Sequence, residues 1–278
     1  MQHKENAQYK TSKAFKGIDI VEADFKKQSF SRHVHEGYTI GVIEEGVQRF
    51  YRSGENHLAG KNNIILVNAD DVHTGEAATP EGWKYNAIYP TPEHFEFISE
   101  DIFEKNSLTP YFRDSVIDDR RIADQLRLVF DHIAIGSSTL LIETLLYSTF
   151  LSLAVRHGRR ASIPQDMSIN GKKLLLVKDF IDEYPEQDVS LEKLALLAGC
   201  SKYHFVRQFG KAFGLSPHAY QIQSRLKKAK QLLKLGVSIS QIATDCGFHD
   251  QSHLARHFKK ALGTTPKKFQ KTSNPVQY

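Results

Sequence analysis

The chain has 278 residues, 40% of them hydrophobic and 25% charged, with a net charge of +5; that size suits two domains, each able to bury a core, and the composition excludes a disordered or fibrous chain. The polar start MQHKENAQYK lacks the apolar stretch of a secretory signal, and no run of about 18 apolar residues marks a membrane span. Only two cysteines occur, Cys200 and Cys246, which fits a reducing cytoplasm rather than a disulfide framework.

Residues 28–90 read as strands. The segments 38–43, 47–52, 57–60, 63–68 and 83–90 are separated by turn signals at Glu45-Gly46, Ser53-Gly54-Glu55-Asn56 and Ala69-Asp70-Asp71. Short strands at this spacing predict a small antiparallel barrel or sandwich. Residues 118–135 and 140–157 switch to helical spacing, with Gly136-Ser137-Ser138 between them. Their apolar stripes include Ile122, Leu126, Val129, Phe130, Leu141, Leu145 and Phe150, suited to covering the barrel or to pairing two copies of the chain. Residues 158–170 are poor in apolar residues and read as a linker. The predicted domains are therefore 1–157 and 171–278.

Charge divides along the same line. Residues 171–278 hold 18 Lys+Arg and 8 Asp+Glu, a net +10, whereas residues 1–170 carry −5. A basic helical part behind an acidic part predicts that only the former meets a polyanion.

The basic part contains a repeat. Arg207, Phe209, Lys211, Gly214, Ser216 and Pro217 recur in step as Arg256, Phe258, Lys260, Gly263, Thr265 and Pro266. Each copy runs a basic helix into a C-terminal glycine, then a hydroxyl cap followed by proline. Upstream, Ala195 precedes Gly199 by the same interval that separates Ala243 from Gly247. Small residue, then glycine, is what a helix-turn-helix needs where two helices cross closely and the turn takes positive φ. Leu194, Ala198 and Phe205 supply the apolar contacts of the first unit, and Ile242, Phe248 and Leu254 those of the second. Ser201 and Asp250 cap the following helices.

On these residues the chain resembles the AraC/XylS family of bacterial regulators. Residues 172–271 are similar to its DNA-binding domain. Ile239, Ile242-Ala243, Gly247-Phe248, Leu254, Arg256, Phe258, Gly263 and Thr265-Pro266 follow the signature of the second unit. Residues 28–92 resemble, more loosely, the family's sugar-binding-type N-terminal domain with its cupin-like barrel. The resemblance implies a two-domain α+β chain: a cupin-like β-barrel with flanking helices, then an all-α domain of two helix-turn-helix units joined by a long helix at 217–235. It implies a cytoplasmic transcription regulator, an activator, with double-stranded DNA, a small-molecule effector, RNA polymerase and a second copy of the chain as partners, and no membrane. Two recognition helices would enter successive major grooves about 34 Å apart. Matched motif to motif, Tyr203, Val206 and Arg207 face bases in the first helix, and Gln251, Ser252, His253 and Arg256 in the second. His204 shares the first polar face, and Lys202, Lys211, Lys259, Lys260 and Lys267 suit phosphates, which give affinity without a sequence code.

In the N-terminal part, His33-x-His35 and His73 resemble the histidine spacing of cupin metal sites. Cupin enzymes carry a glutamate a few residues after the second histidine. Here Tyr38, Thr39 and Ile40 fill that region, Glu36 points away, and Glu44-Glu45 fall at a turn. The expected role is therefore an effector pocket, with no metal, cofactor or catalytic residue, formed by His33, His35, Tyr38, His73, Trp83 and Tyr85, with Arg32 for an anionic ligand. A metal-dependent cupin enzyme fused to a DNA-binding module is the alternative. A DNA-binding protein without ligand is a third reading.

Overall fold

The computed structural model describes residues 5–100, 109–160 and 169–273. They fall into two compact units, Met1–Ser162 and Ile163–Tyr278.

The first unit is built from strands β1 (Asn6–Ser12), β2 (Ile18–Phe25), β3 (Phe30–His33), β4 (Thr39–Gly46), β5 (Gln48–Arg52), β6 (Glu55–Ala59), β7 (Ile64–Val67), β8 (His73–Ala77) and β9 (Trp83–Tyr89). Helix α1 (Pro92–Glu100), strands β10 (Pro110–Phe112) and β11 (Val116–Ile117), helices α2 (Arg120–Ala134) and α3 (Thr139–His157), and strand β12 (Gly158–Arg160) follow. The two larger sheets have the orders β1-β2-β9-β4-β7-β11 and β3-β8-β5-β6. The sheets meet where Phe30 packs edge-on against Phe25 at 5.3 Å and Trp83 at 6.5 Å. This is the expected barrel, enlarged at its N-terminal edge by β1 and β2, which the reading from residue 28 onward did not include.

Strands β4 and β7 at the centre of the larger sheet are buried on both faces, each for its own reason. Ile20, Ile40, Val42, Ile64, Leu66 and Ile88 form one cluster with Ile122, Leu126, Val129, Phe130 and Phe150 of α2 and α3. Each fully buried side chain of this kind contributes about 1.5–3 kcal/mol. The opposite row, Val21, Ala23 and Phe25 against Ala87, Tyr85 and Trp83, faces the barrel interior. Asp119 caps α2 by accepting from the Ile122 amide, and accepts from Arg156 at 2.8 Å and His157 at 2.9 Å, pinning the start of α2 to the end of α3. Burial alone would raise its carboxyl; hydrogen bonds from His157, the Ile122 amide and Arg156 hold it at about 2.

Two expectations change here, those for Leu141 and for Gly158–Arg160. Among the described residues, α3 is the one helix long and apolar enough by length and composition to cross a membrane, although Ile142, Leu146, Thr149, Phe150 and Leu153 are buried in the domain. Leu141 lies on its exposed side rather than in the covering stripe. Gly158–Arg160, read as the start of a linker, pairs antiparallel with Pro110–Phe112; the linker residues 161–168 lie outside the described residues.

The second unit is all helical: α4 (Ile169–Glu183), α5 (Leu191–Ala198), α6 (Lys202–Phe213), α7 (Pro217–Lys234), α8 (Ile239–Asp245), α9 (Gln251–Leu262) and α10 (Pro266–Ser273). Its boundaries are local chemistry. Ser190, Ser201, Ser216, Ser238 and Asp250 each accept the amide three residues on, satisfying a donor that has no partner within the helix. Gly199 and Gly247 turn the chain with φ of 67° and 73°. Asp182 of α4 accepts from Tyr220 and Ser224 of α7, at 2.8 and 2.7 Å. Arg225 of α7 donates both to the Pro185 carbonyl and to the Gly247 carbonyl. One guanidinium thus ties the segment before α5 to the turn before α9, fixing the two helix-turn-helix units to a common strut.

Candidate functional site

On α6, Phe205 and Phe209 are fully buried, so the helix presents its other face outward. Lys202, Tyr203, His204, Val206, Arg207 and Lys211 all lie on that exposed face. On α9, Leu254, Phe258 and Leu262 face inward, and Gln251, Ser252, Arg256, Lys259 and Lys260 outward. His253 differs from its neighbours. Its ring packs edge-on against Phe248 at 5.5 Å and His257 at 4.6 Å, and its Nδ1 accepts from the His249 amide, leaving it half-buried. Each helix therefore offers one arginine, Arg207 or Arg256, at the same step of the repeat. An exposed arginine has a planar fork that matches both guanine and phosphate. Arg225 was not anticipated as a positioning residue; its place on a helix shared by two motifs was the available signal.

The second candidate is the barrel interior. His33 and His73 sit opposite each other in the β3–β8 pairing. His35 lies beyond the end of β3, not on a shared strand face, yet the three rings are 4.2, 4.9 and 5.0 Å apart. His35 stacks edge-on with Tyr89 at 5.4 Å. Tyr85 and Trp83 belong to the same inward row. Tyr9, on the unanticipated β1, joins them through hydrogen-bond contact with Tyr89. Burial pushes the Tyr85 hydroxyl up to about 12 and those of Tyr9 and Tyr89 well above their usual value, so all three stay neutral. Three further inward atoms, Trp83 Nε1, Gln48 Oε1 and Thr39 Oγ1, are buried with no hydrogen-bond partner among the described residues. Leaving such a group unmatched costs about 1–3 kcal/mol, which a bound molecule can return.

Two expected effector residues do not face the barrel interior. Arg32 is exposed, its guanidinium 4.9 Å from the Tyr51 ring on the outer face of the smaller sheet. Tyr38 points to the helix side, packed on Phe95 and Phe112 and donating to the Pro110 carbonyl at 2.8 Å. The strand phase that sends Thr39 inward sends Tyr38 out. Glu44 is in β4 rather than at a turn, and it pairs with Arg127 at 3.1 Å.

The sequence reading also missed Arg52, which is fully buried and has the same phase as Gln48 and Phe50. A separate cavity of about 700 Å³ lies outside the barrel, lined by Phe15, Thr91, His94, Glu143 and Tyr147. Its polar groups are already matched: His94 bonds Thr91 and the Phe15 carbonyl, and Glu143 accepts from the Phe15 amide. The buried groups without a partner named above lie instead on the barrel's inward faces.

Residues 15–150 match the AraC-like ligand binding domain family, and residues 194–272 match a helix-turn-helix domain family. The uncharacterized HTH-type transcriptional regulator YbfI of Bacillus subtilis is 30% identical over 241 residues, covering 86% of this chain and 84% of that protein. The HTH-type transcriptional activator RhaS of Klebsiella pneumoniae is 22% identical, over 89% of this chain and 90% of its own. In fold, ToxT from Vibrio cholerae aligns over 98% of each chain with a TM-score of 0.58 at 13% identity. A ligand-binding barrel and a tandem helix-turn-helix, aligned along nearly the whole length of such a relative, make this chain a member of the AraC/XylS family of DNA-binding transcription regulators.

Proposed function

We propose that the chain is an effector-responsive activator that reads promoter DNA through α6 and α9. The observation that carries this is the pair Arg207 and Arg256, exposed at matched steps of two capped helices that share one strut. Tyr203, Val206, Gln251 and Ser252 complete the base-facing sets, with Val206 limited to a thymine methyl or a sugar. His204 lies beside the first set and His253 behind the second. Lys202, Lys211, Lys259 and Lys260 take phosphates. Arg207→Ala and Arg256→Ala are each expected to lose about 1–3 kcal/mol of operator binding at matched salt while sparing non-specific binding. Quantitative footprinting checks this, and an operator affinity equal to wild type in either variant removes that arginine from the interface.

The barrel takes the effector, a small polar molecule able to meet Trp83 Nε1, Gln48 Oε1 and Thr39 Oγ1 among tyrosine rings. A family member named as an activator supports the sign of regulation, which implies RNA polymerase as partner and a cytoplasmic setting. Ile135, Leu140 and Leu141, exposed around the α2–α3 turn, suit a homodimer. We assign the barrel interior to binding: no carboxylate joins the histidines among the described residues, as the three-histidine, one-acid set of the alternative cupin enzyme would require. Thermal-shift screening of sugars, amino acids and aromatic acids identifies the effector. Calorimetry with and without operator then measures coupling, expected at about 1–3 kcal/mol and reciprocal between the two ligands. Equal effector affinities in the two titrations would remove the barrel as an equilibrium switch.

A further inference from the structure

We propose that His33, His35 and His73 form a binding site for a divalent transition-metal ion on the inner wall of the barrel. One nitrogen donor from each ring lies within 4.8 Å of the other two. At metal–nitrogen distances of about 2.1 Å, a tetrahedral ion needs donors about 3.4 Å apart. Closing the difference takes small rotations of the three rings, whose centroids already lie 4.2–5.0 Å apart.

The ring tautomers are already set for this. His33 Nδ1 lies 2.7 Å from the Ser31 carbonyl, and His73 Nδ1 lies 2.9 Å from the Asp71 carbonyl. A carbonyl only accepts, so each Nδ1 carries the proton and each Nε2 presents a bare lone pair. That backbone support of the far nitrogen is how metal-ligating imidazoles are held and kept basic. Neither ring makes a second hydrogen bond among the described residues.

The donor set also selects the ion. Three imidazoles and no carboxylate favour zinc, nickel, cobalt or ferrous iron over magnesium or calcium. Asp71, two residues before His73, is taken by Arg52 at 2.9 Å and Asn68 at 3.0 Å. Three protein ligands leave at least one position open, facing the same interior as the unmatched Gln48 and Trp83 groups. An effector oxygen or a water can fill it. The metal site does not depend on the effector reading.

The experiment is titration of the chelator-treated full-length protein with zinc by calorimetry, and with cobalt by visible absorption. One ion per chain is expected, with the intense cobalt bands of a low-coordinate nitrogen site. His33→Gln with His73→Gln should weaken binding at least about 100-fold. His35→Gln, at the half-buried position, should weaken it measurably with the fold intact by circular dichroism, so the test survives if the double variant does not fold. His253→Gln with His257→Gln removes the ring pair on α9 and should leave the ion bound. The proposal is overturned by the absence of a stoichiometric ion, by unchanged affinity in the His35 variant, or by loss of binding in the α9 variant. An effector-induced thermal shift that persists in metal-free protein leaves the sensor reading standing when this one fails.

Discussion

Gly247→Ala is expected to destabilise the second helix-turn-helix by about 3 kcal/mol or more, against about 1–2 kcal/mol for Gly199→Ala at the matching place in the first. Both glycines hold positive φ, 73° and 67°, and any Cβ there carries the left-handed penalty. Their surroundings differ. An added Cβ at Gly247 would stand 2.5 Å from the Glu186 carbonyl oxygen and 2.8 Å from the Glu186 Cα. Those are backbone atoms of the segment that Arg225 clamps through Pro185, so relief would require the strut to shift. At Gly199 the first obstacle is the Lys173 Nζ at 2.7 Å, the free end of a long side chain that can swing away. Thermal unfolding of the full chain should show the helical unit losing roughly 10–20 °C in the Gly247 variant and well under that in the Gly199 variant. Operator binding by α9 should fail with it. Equal losses at the two glycines would mean that the Glu186 segment yields freely and that the clamp is not rigid.

Arg52→Met is expected to cost the barrel about 3–5 kcal/mol, the range for removing one partner of a buried ion pair. The guanidinium is fully buried and uses its whole fork. Nε donates to Asp71 at 2.9 Å, Nη1 to the Leu66 carbonyl and the Ser115 hydroxyl at 3.1 Å each, and Nη2 to the Phe112 carbonyl at 2.7 Å. It therefore joins β5 to β7, to the turn after β7 and to the segment from β10 to the start of β11. Methionine fills the volume but leaves a carboxylate, two carbonyls and a hydroxyl short of a donor. Asn68 still reaches Asp71 and Phe112, and Asp71 is partly solvated, which places the cost toward the lower end. Lysine should rescue little, because one ammonium cannot span that fork. Adding Asp71→Asn to Arg52→Met should recover part of the loss by removing the orphaned charge. Denaturant unfolding of the three variants checks the order. A loss below about 1 kcal/mol for Arg52→Met would show that water replaces the guanidinium.

The helical unit was legible in the sequence because its signals are local. Ser201, Gly214, Asp250 and Gly263 fix helix ends within a few residues of themselves, and the repeat placed Arg207 and Arg256 on corresponding faces. The barrel was legible only in outline. Asn6–Ser12 has few apolar residues, and its Ala7 and Tyr9 are buried only because β2 runs beside them. In β2 the buried phase changes between Ile20 and Val21, with Glu22 exposed and Asp19 and Asp24 partly so, and Ile18–Phe25 therefore lacks one continuous alternation. Double burial misplaced Tyr38: with apolar residues on both faces of β4, periodicity cannot say which face looks inward, and the packing of α2 and α3 decided it. Arg32 is adjacent to His33 and so points to the opposite face, as its phase relative to the histidines implies. The sequence determined helix ends, the repeat and the chemical types in each half, since these depend on neighbours a turn or two away. Tertiary structure alone decided that His33, His35 and His73 converge and that Arg52 is buried, because such positions depend on strand pairing across tens of residues, which no local pattern encodes.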